Sequence, residues 1–190
     1  MNTPTHILVG MAVLARGGAT WRNIAVLCGA VVPDLSIYVL LVWSKLRGVP
    51  DWMIWREVYW QEPWQSVSAI SNSVPLYVGL LLAGRYWRAD LVWVFAAAAL
   101  FHMGLDFPFH NSDAHKHFWP LADWRFNSPL SYWDHRHFGS YVGIFEIMVA
   151  LICVAVLWRR FSGWQARSLL AMALVTYVAV PAYFAFTLGG

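Results

Sequence analysis

Residues 91–107, Leu-Val-Trp-Val-Phe-Ala-Ala-Ala-Ala-Leu-Phe-His-Met-Gly-Leu-Asp-Phe, carry no charged carboxylate or base until Asp106. Similar apolar runs recur at 23–43, 67–83, 141–158 and 166–188. A membrane-spanning helix needs about 20 mostly apolar residues. A chain built from such runs therefore folds as a bundle of membrane helices or not at all. Residues 5–15 form a shorter apolar segment that is too short to span alone. The predicted fold is all-α: a polytopic integral membrane helical bundle, with about five full transmembrane helices plus a short N-terminal helix. It forms a single membrane domain over 1–190.

Composition and charge narrow the function classes. The chain is 59% hydrophobic and 12% charged, where a soluble domain carries roughly 25% charged residues. The net charge of +3 comes from Lys and Arg gathered at segment ends. That pattern speaks of membrane orientation and excludes nucleic acid as a partner. Cys28 and Cys153 sit inside apolar runs and read as small core residues. Residues 1–6 have no basic n-region, which argues against a cleaved signal peptide.

Two connectors, 44–65 and 109–139, are wet and aromatic. They carry Trp52, Trp55, Trp60, Trp64, Trp119, Trp124 and Trp133. Tryptophan concentrates at membrane–water interfaces. The short turns around Arg16, Arg22, Arg85, Arg88, Arg159, Arg160 and Arg167 hold seven basic residues with Asp90 the only nearby acid. The positive-inside rule places those turns in the cytoplasm and both aromatic connectors on the outer face.

The polar residues of the spans then fall together. His102 and Asp106 are four apart and share one helical face. Asp34 follows Pro33 inside an apolar run, where a proline should interrupt the helix. A carboxylate at that depth marks a functional site by default. His6 opens the first helix, with Thr3 or Thr5 placed to cap it. All four lie in the outer half of the bundle. His6, Asp34, His102 and Asp106 make a His₂Asp₂ ligand set that suits a divalent metal, zinc above all, with manganese or iron as alternatives. Asp34 and Asp106 are the candidate catalytic carboxylates. One can bridge metals or take a proton from an activated water.

Further candidates carry weaker signals. Asn72 offers a neutral oxygen, and Ser73 beside it reads equally well as a polar helix start. The histidines His110, His115, His117, His135 and His137 fit either a solvated aromatic loop or a second metal position. Glu146 and His137 are candidates for that position, although their spacing fits no single helical face.

Thr5-His6, Pro33-Asp34, Ser71-Asn72-Ser73, His102-x-x-x-Asp106 and Trp119-Pro120 occur in that order over residues 3–120. This ordered set resembles the predicted membrane-bound metal-dependent hydrolases of the bacterial inner membrane, a family thought to be distantly like zinc-dependent phospholipase C. The resemblance implies that His6, Asp34, His102 and Asp106 are metal ligands and Asp106 a bridging carboxylate. It implies phosphoester hydrolysis, with a membrane lipid or lipid-linked phosphate as substrate. The chain departs from the family pattern at two points. Asn72 stands where the family has histidine, and Ser36 where it often has a second aspartate. Those departures keep open an alternative: a catalytically degenerate relative serving as a structural or assembly subunit of a membrane protein complex.

Overall fold

A computed structural model describes the backbone of residues 1–188 and the side chains of residues 1–179. The described residues are helical with no strand. Helix α1 (Thr3–Leu14) is followed by α2 (Thr20–Leu46), α3 (Asp51–Arg56), α4 (Trp64–Ser71), α5 (Val74–Tyr86) and α6 (Asp90–Asp106). Helices α7 (Gly139–Arg160) and α8 (Trp164–Leu188) complete the order. Single 3₁₀ turns lie at Val58–Trp60 and His135–His137.

Small residues set the centre of the bundle. Helices α2 and α6 cross where Gly29 meets the backbone of α6. A Cβ added at Gly29 would lie 2.1 Å from the carbonyl oxygen of Phe95. Ala96, Ala97, Ala98 and Ala99 line the same stretch of α6, all buried. Helix α1 joins the crossing through Gly10, whose added Cβ would sit 3.4 Å from Ala30 Cβ. Close approach through small side chains is the usual way membrane helices associate, since lipid gives no hydrophobic drive between them. Helix α5 packs on the far side of α6, and α7 and α8 follow on α1.

Three helical stretches are long and apolar enough to cross a membrane: Thr20–Leu46, Trp64–Tyr86 and Gly139–Arg160. This is fewer than the five expected, for reasons of length and description. The expected span 91–107 falls on α6, Asp90–Asp106, whose 17 residues rise about 25 Å against a hydrocarbon core of about 30 Å. The expected span 166–188 falls in α8, where the side chains from 180 onward, Pro181 included, lie outside the described residues. The outward surfaces of the helices are apolar, with Val39, Val42, Leu82, Ile144, Ile152 and Val175 exposed. Such a surface is what a lipid environment covers.

Local expectations were corrected in three places. Helix α2 runs unbroken through Pro33, which occupies its interior. The break falls instead at Asn72, between α4 and α5, where Ser73 caps α5 by accepting from the Leu76 amide at 3.3 Å. Neither Thr3 nor Thr5 caps α1. Asn2 holds the cap position without a side-chain bond to the helix amides, and both threonine hydroxyls turn inward.

The two ends of the bundle are chemically different. At one end Arg22 forms a two-pronged pair with Asp90 at 2.9 and 2.7 Å, and Arg160 donates to the carbonyls of Met11 and Ala15. At the other end lie the start of α1, the end of α6 and both connectors. The first connector folds as α3 plus a 3₁₀ turn, and buries Ile54 and Tyr59 against Leu40. The second is mostly irregular and is laced to the bundle by backbone bonds. Val74 donates to His117 at 2.8 Å, Ser128 to His110 at 2.9 Å and Tyr132 to Phe109 at 2.9 Å.

Candidate metal centre

The α2–α6 crossing decides where His102 points. With the backbones so close, His102 Nδ1 donates to the Ala30 carbonyl oxygen at 2.7 Å. That bond fixes the ring and its tautomer, and leaves Nε2 as the free acceptor. Nε2 faces Asp106 Oδ2 at 3.0 Å and Asp34 Oδ1 at 3.5 Å. Helix α1 delivers His6 to the same point. Its ring stacks on His102 with centroids 3.7 Å apart, and its Nε2 lies 2.9 Å from Asp106 Oδ1. The ligand atoms of His6, His102 and Asp106 all lie within 4.8 Å of one another, and all three residues are buried.

These contacts are short, but they lack the alignment of hydrogen bonds. Both nitrogens of His6, and Nε2 of His102, are buried and have no hydrogen-bond partner despite the nearby carboxylate oxygens. Buried polar atoms are nearly always satisfied, and an orphan costs about 1–3 kcal/mol. Ligands held at about 2.0–2.2 Å by one tetrahedral ion sit roughly 3.4 Å from each other. The orphaned lone pairs and their spacing therefore fit a shared cation, and these buried His and Asp groups could bind a metal ion.

Asp34 stands at the edge of this group. Its Oδ2 accepts from the Thr3 hydroxyl, which in turn accepts from Tyr38 at 2.7 Å. The Asp34 side chain is 13% exposed, where those of His102 and Asp106 are 0% and 1%. It is the carboxylate of the set with access to solvent.

A second group shares Asp106. The ligand atoms of Asp106, His110 and His115 also lie within 4.8 Å of one another. His110 Nε2 is 3.3 Å from Asp106 Oδ1, and its Nδ1 donates to Asp113 Oδ2 at 3.0 Å. Nδ1 of His115 lies 3.3 Å from the Ser68 hydroxyl. Burial, reinforced by His110, pushes the His115 imidazole down to about 3, so it stays neutral near pH 7. Burial also works against charge on His110, but the Asp106 and Asp113 carboxylates outweigh it and hold the metal-free ring up at about 9, so an ion bound at Nε2 has to displace a proton there. The Met1 α-amino group lies against Asp106 Oδ1 at 2.5 Å, and 3.5 Å from His110 Nε2.

Other expected site residues have structural partners. Asn72 is buried, and its Nδ2 donates to the carbonyls of Pro33 at 3.0 Å and Ser68 at 3.1 Å. Its Oδ1 has no partner. The Ser73 hydroxyl donates to the Trp119 carbonyl, so its role is to pin the second connector to the start of α5. His117 Nδ1 donates to the Asn72 carbonyl at 3.1 Å and stands outside both ligand groups. His137 lies in the 3₁₀ turn, also outside them.

Glu146 is buried but engaged elsewhere. It accepts from the Asn2 amide at 2.8 Å, Asn2 Nδ2 at 3.0 Å and the Thr5 hydroxyl at 2.6 Å. It ties the start of α1 to α7 and so positions His6 one residue further on. Glu146→Ala is expected to leave three donors unmet and lower stability by about 3 kcal/mol. Thermal unfolding in detergent checks this. Metal bound per folded chain should hold steady if Glu146 is a tether and not a ligand.

No protein-family model, curated protein or solved structure matches this chain.

Proposed function

We propose that the chain is an integral membrane metal-dependent hydrolase that cleaves a phosphoester, lipid or lipid-linked, with zinc as its resident ion. The observation that carries this reading is the convergence of His6, His102 and Asp106 with orphaned imidazole nitrogens. Mixed imidazole and carboxylate donors suit zinc. A divalent ion held there supplies an activated water nucleophile and positive charge toward the oxygens of a scissile ester.

The chain's own residues divide the remaining work. The Ala30 carbonyl and the His6 stack fix His102, and so fix the donor set. Asp34, more exposed and held by Thr3, is placed to accept a proton. Beside the centre lies a cavity of about 750 Å³, walled by Ile37, Trp55, Tyr59, Trp60 and Tyr132, with Arg56 among its lining residues. Aromatic walls suit the apolar part of an amphiphile, and a guanidinium suits its phosphate. In this reading α6 and α8 join the three long apolar stretches to make five spans. The basic turns face the cytoplasm of a bacterial inner membrane, and the centre faces outward.

The test is phosphoester turnover by the detergent-purified protein on lipid and lipid-linked phosphates. Chelation should stop it and zinc restore it. Asp34→Asn should lower kcat by about a hundredfold. Turnover that survives both treatments would remove the proposal.

A second reading is favoured by Asn72, whose amide is committed to the Pro33 and Ser68 carbonyls. Trp21, Trp87 and Trp164 are each more than 70% exposed. Together they suit a structural or assembly subunit of a membrane complex. That reading requires a copurifying partner and a normal phenotype for Asp34→Asn.

A further inference from the structure

We infer that the chain holds a second divalent cation, on Asp106, His110 and His115, and that this is the ion a substrate meets. The position of the ion rests on these three side chains. Its role toward substrate rests on the hydrolase reading.

Asp106 is shared by both ligand groups. Its Oδ2 faces His102 Nε2 at 3.0 Å, while Oδ1 faces His6 Nε2 at 2.9 Å and His110 Nε2 at 3.3 Å. A carboxylate with both oxygens turned to imidazole nitrogens is placed to bridge two ions. The histidines of the second group are oriented from behind. His110 Nδ1 is tied to Asp113, and His115 Nδ1 lies at the Ser68 hydroxyl. The Asp113 carboxylate takes the Nδ1 proton of His110 and turns its Nε2 to the ion, the arrangement that metal-bound histidines ordinarily show, and the His115 ring stands beside it with centroids 5.1 Å apart. Asp113 is a positioning residue in this scheme.

Access separates the two positions. The 750 Å³ cavity is lined by His110, Asp113 and His115, and by none of His6, His102 or Asp34. A structural metal site is closed by protein ligands, whereas a catalytic one keeps a position open. The first group lies in the helix crossing, where Asp34 at its edge is the part that reaches solvent, and the second opens on the aromatic cavity. A phosphoester entering past Trp55 and Trp60 would reach the second ion first.

The experiment is metal stoichiometry by mass spectrometry on protein purified in detergent, loaded with zinc and desalted. Two ions per chain are expected, falling to one in the His110→Ala, His115→Ala double variant. His115→Gln, a milder change, should also fall toward one. Asp113→Asn should weaken the second equivalent about 10- to 100-fold and leave the first. Loaded with manganese, the native protein should give an exchange-coupled electron paramagnetic resonance signal that the double variant lacks. A single ion in the folded native protein, with the Met1 amine alone neutralising Asp106, would overturn the inference. So would two ions in the double variant. Two ions without phosphoester turnover would keep the second site and remove the hydrolase reading. Turnover with one ion would do the reverse.

Discussion

Asp106→Asn is expected to strip the protein of bound metal at every position, an effect no other single substitution should match. The residue is 1% exposed, and its two oxygens face His6, His102 and His110. An amide in its place offers one weak oxygen and brings two donors into a ring of imidazoles. Outer-shell changes typically cost 10–100-fold in metal affinity, and loss of a shared ligand should exceed about a hundredfold at each position. The amide donors it adds have no acceptor among the buried imidazoles, so the metal-free protein should also melt earlier. Asp90→Asn, at the opposite end of the same helix, is the matched control. Asp90 is 64% exposed in its pair with Arg22, and such surface pairs contribute about 0–1 kcal/mol. Elemental analysis and a thermal melt of the two variants separate the effects. Metal content unchanged in Asp106→Asn would remove both ligand groups at once.

The first candidate ligand group was partly readable because two of its members obey a local rule. His102 and Asp106 share a face by helical spacing alone, and beside the group Asp34 stands out as a carboxylate in an apolar run. The second group was half-legible. His110 follows Asp106 at the same four-residue interval by which Asp106 follows His102, a repeat visible in the sequence. Helix α6 ends at Asp106, however, and periodicity carries no force beyond a helix end. His115 is placed by the fold of an irregular connector, through Ser68 and the backbone bonds of His117 and His110, which no pattern in the chain announces. Glu146 shows the opposite failure. A buried acid is a fair candidate ligand, but only the folded chain reveals that Asn2 and Thr5 have claimed it. Pro33 sits inside the unbroken α2 and leaves the Gly29 carbonyl without its helical amide donor. Ser71 and Asn72 donate to the Pro33 carbonyl itself, at 3.2 and 3.0 Å, and so tie α4 to α2 at that point.

Gly29→Ala is expected to be the most damaging change outside the ligand set, although it adds only one methyl group. The new Cβ would lie 2.1 Å from the Phe95 carbonyl oxygen and 3.0 Å from Ala98 Cβ. The first of these is backbone, so no side-chain rotation relieves it and α2 must move off α6. Overpacking of this kind costs about 3 kcal/mol, which lowers the thermal midpoint by roughly 6–12 °C for a chain of this size. The displacement also falls on the candidate metal centre. Ala30, the next residue, supplies the carbonyl that holds His102 Nδ1, and Asp34 lies little more than one turn further along α2. Zinc affinity should therefore fall with stability, even though no ligand is altered. Gly79→Ala tests whether any helical glycine would do the same. An added Cβ there meets nothing within 4 Å, so its exposed helix should be unchanged or gain up to about 1 kcal/mol. If Gly29→Ala melts early yet binds zinc as the native protein does, then the Ala30 carbonyl does not set the orientation of His102. The preorganisation of the centre would then have to come from the His6 stack and Asp106 alone.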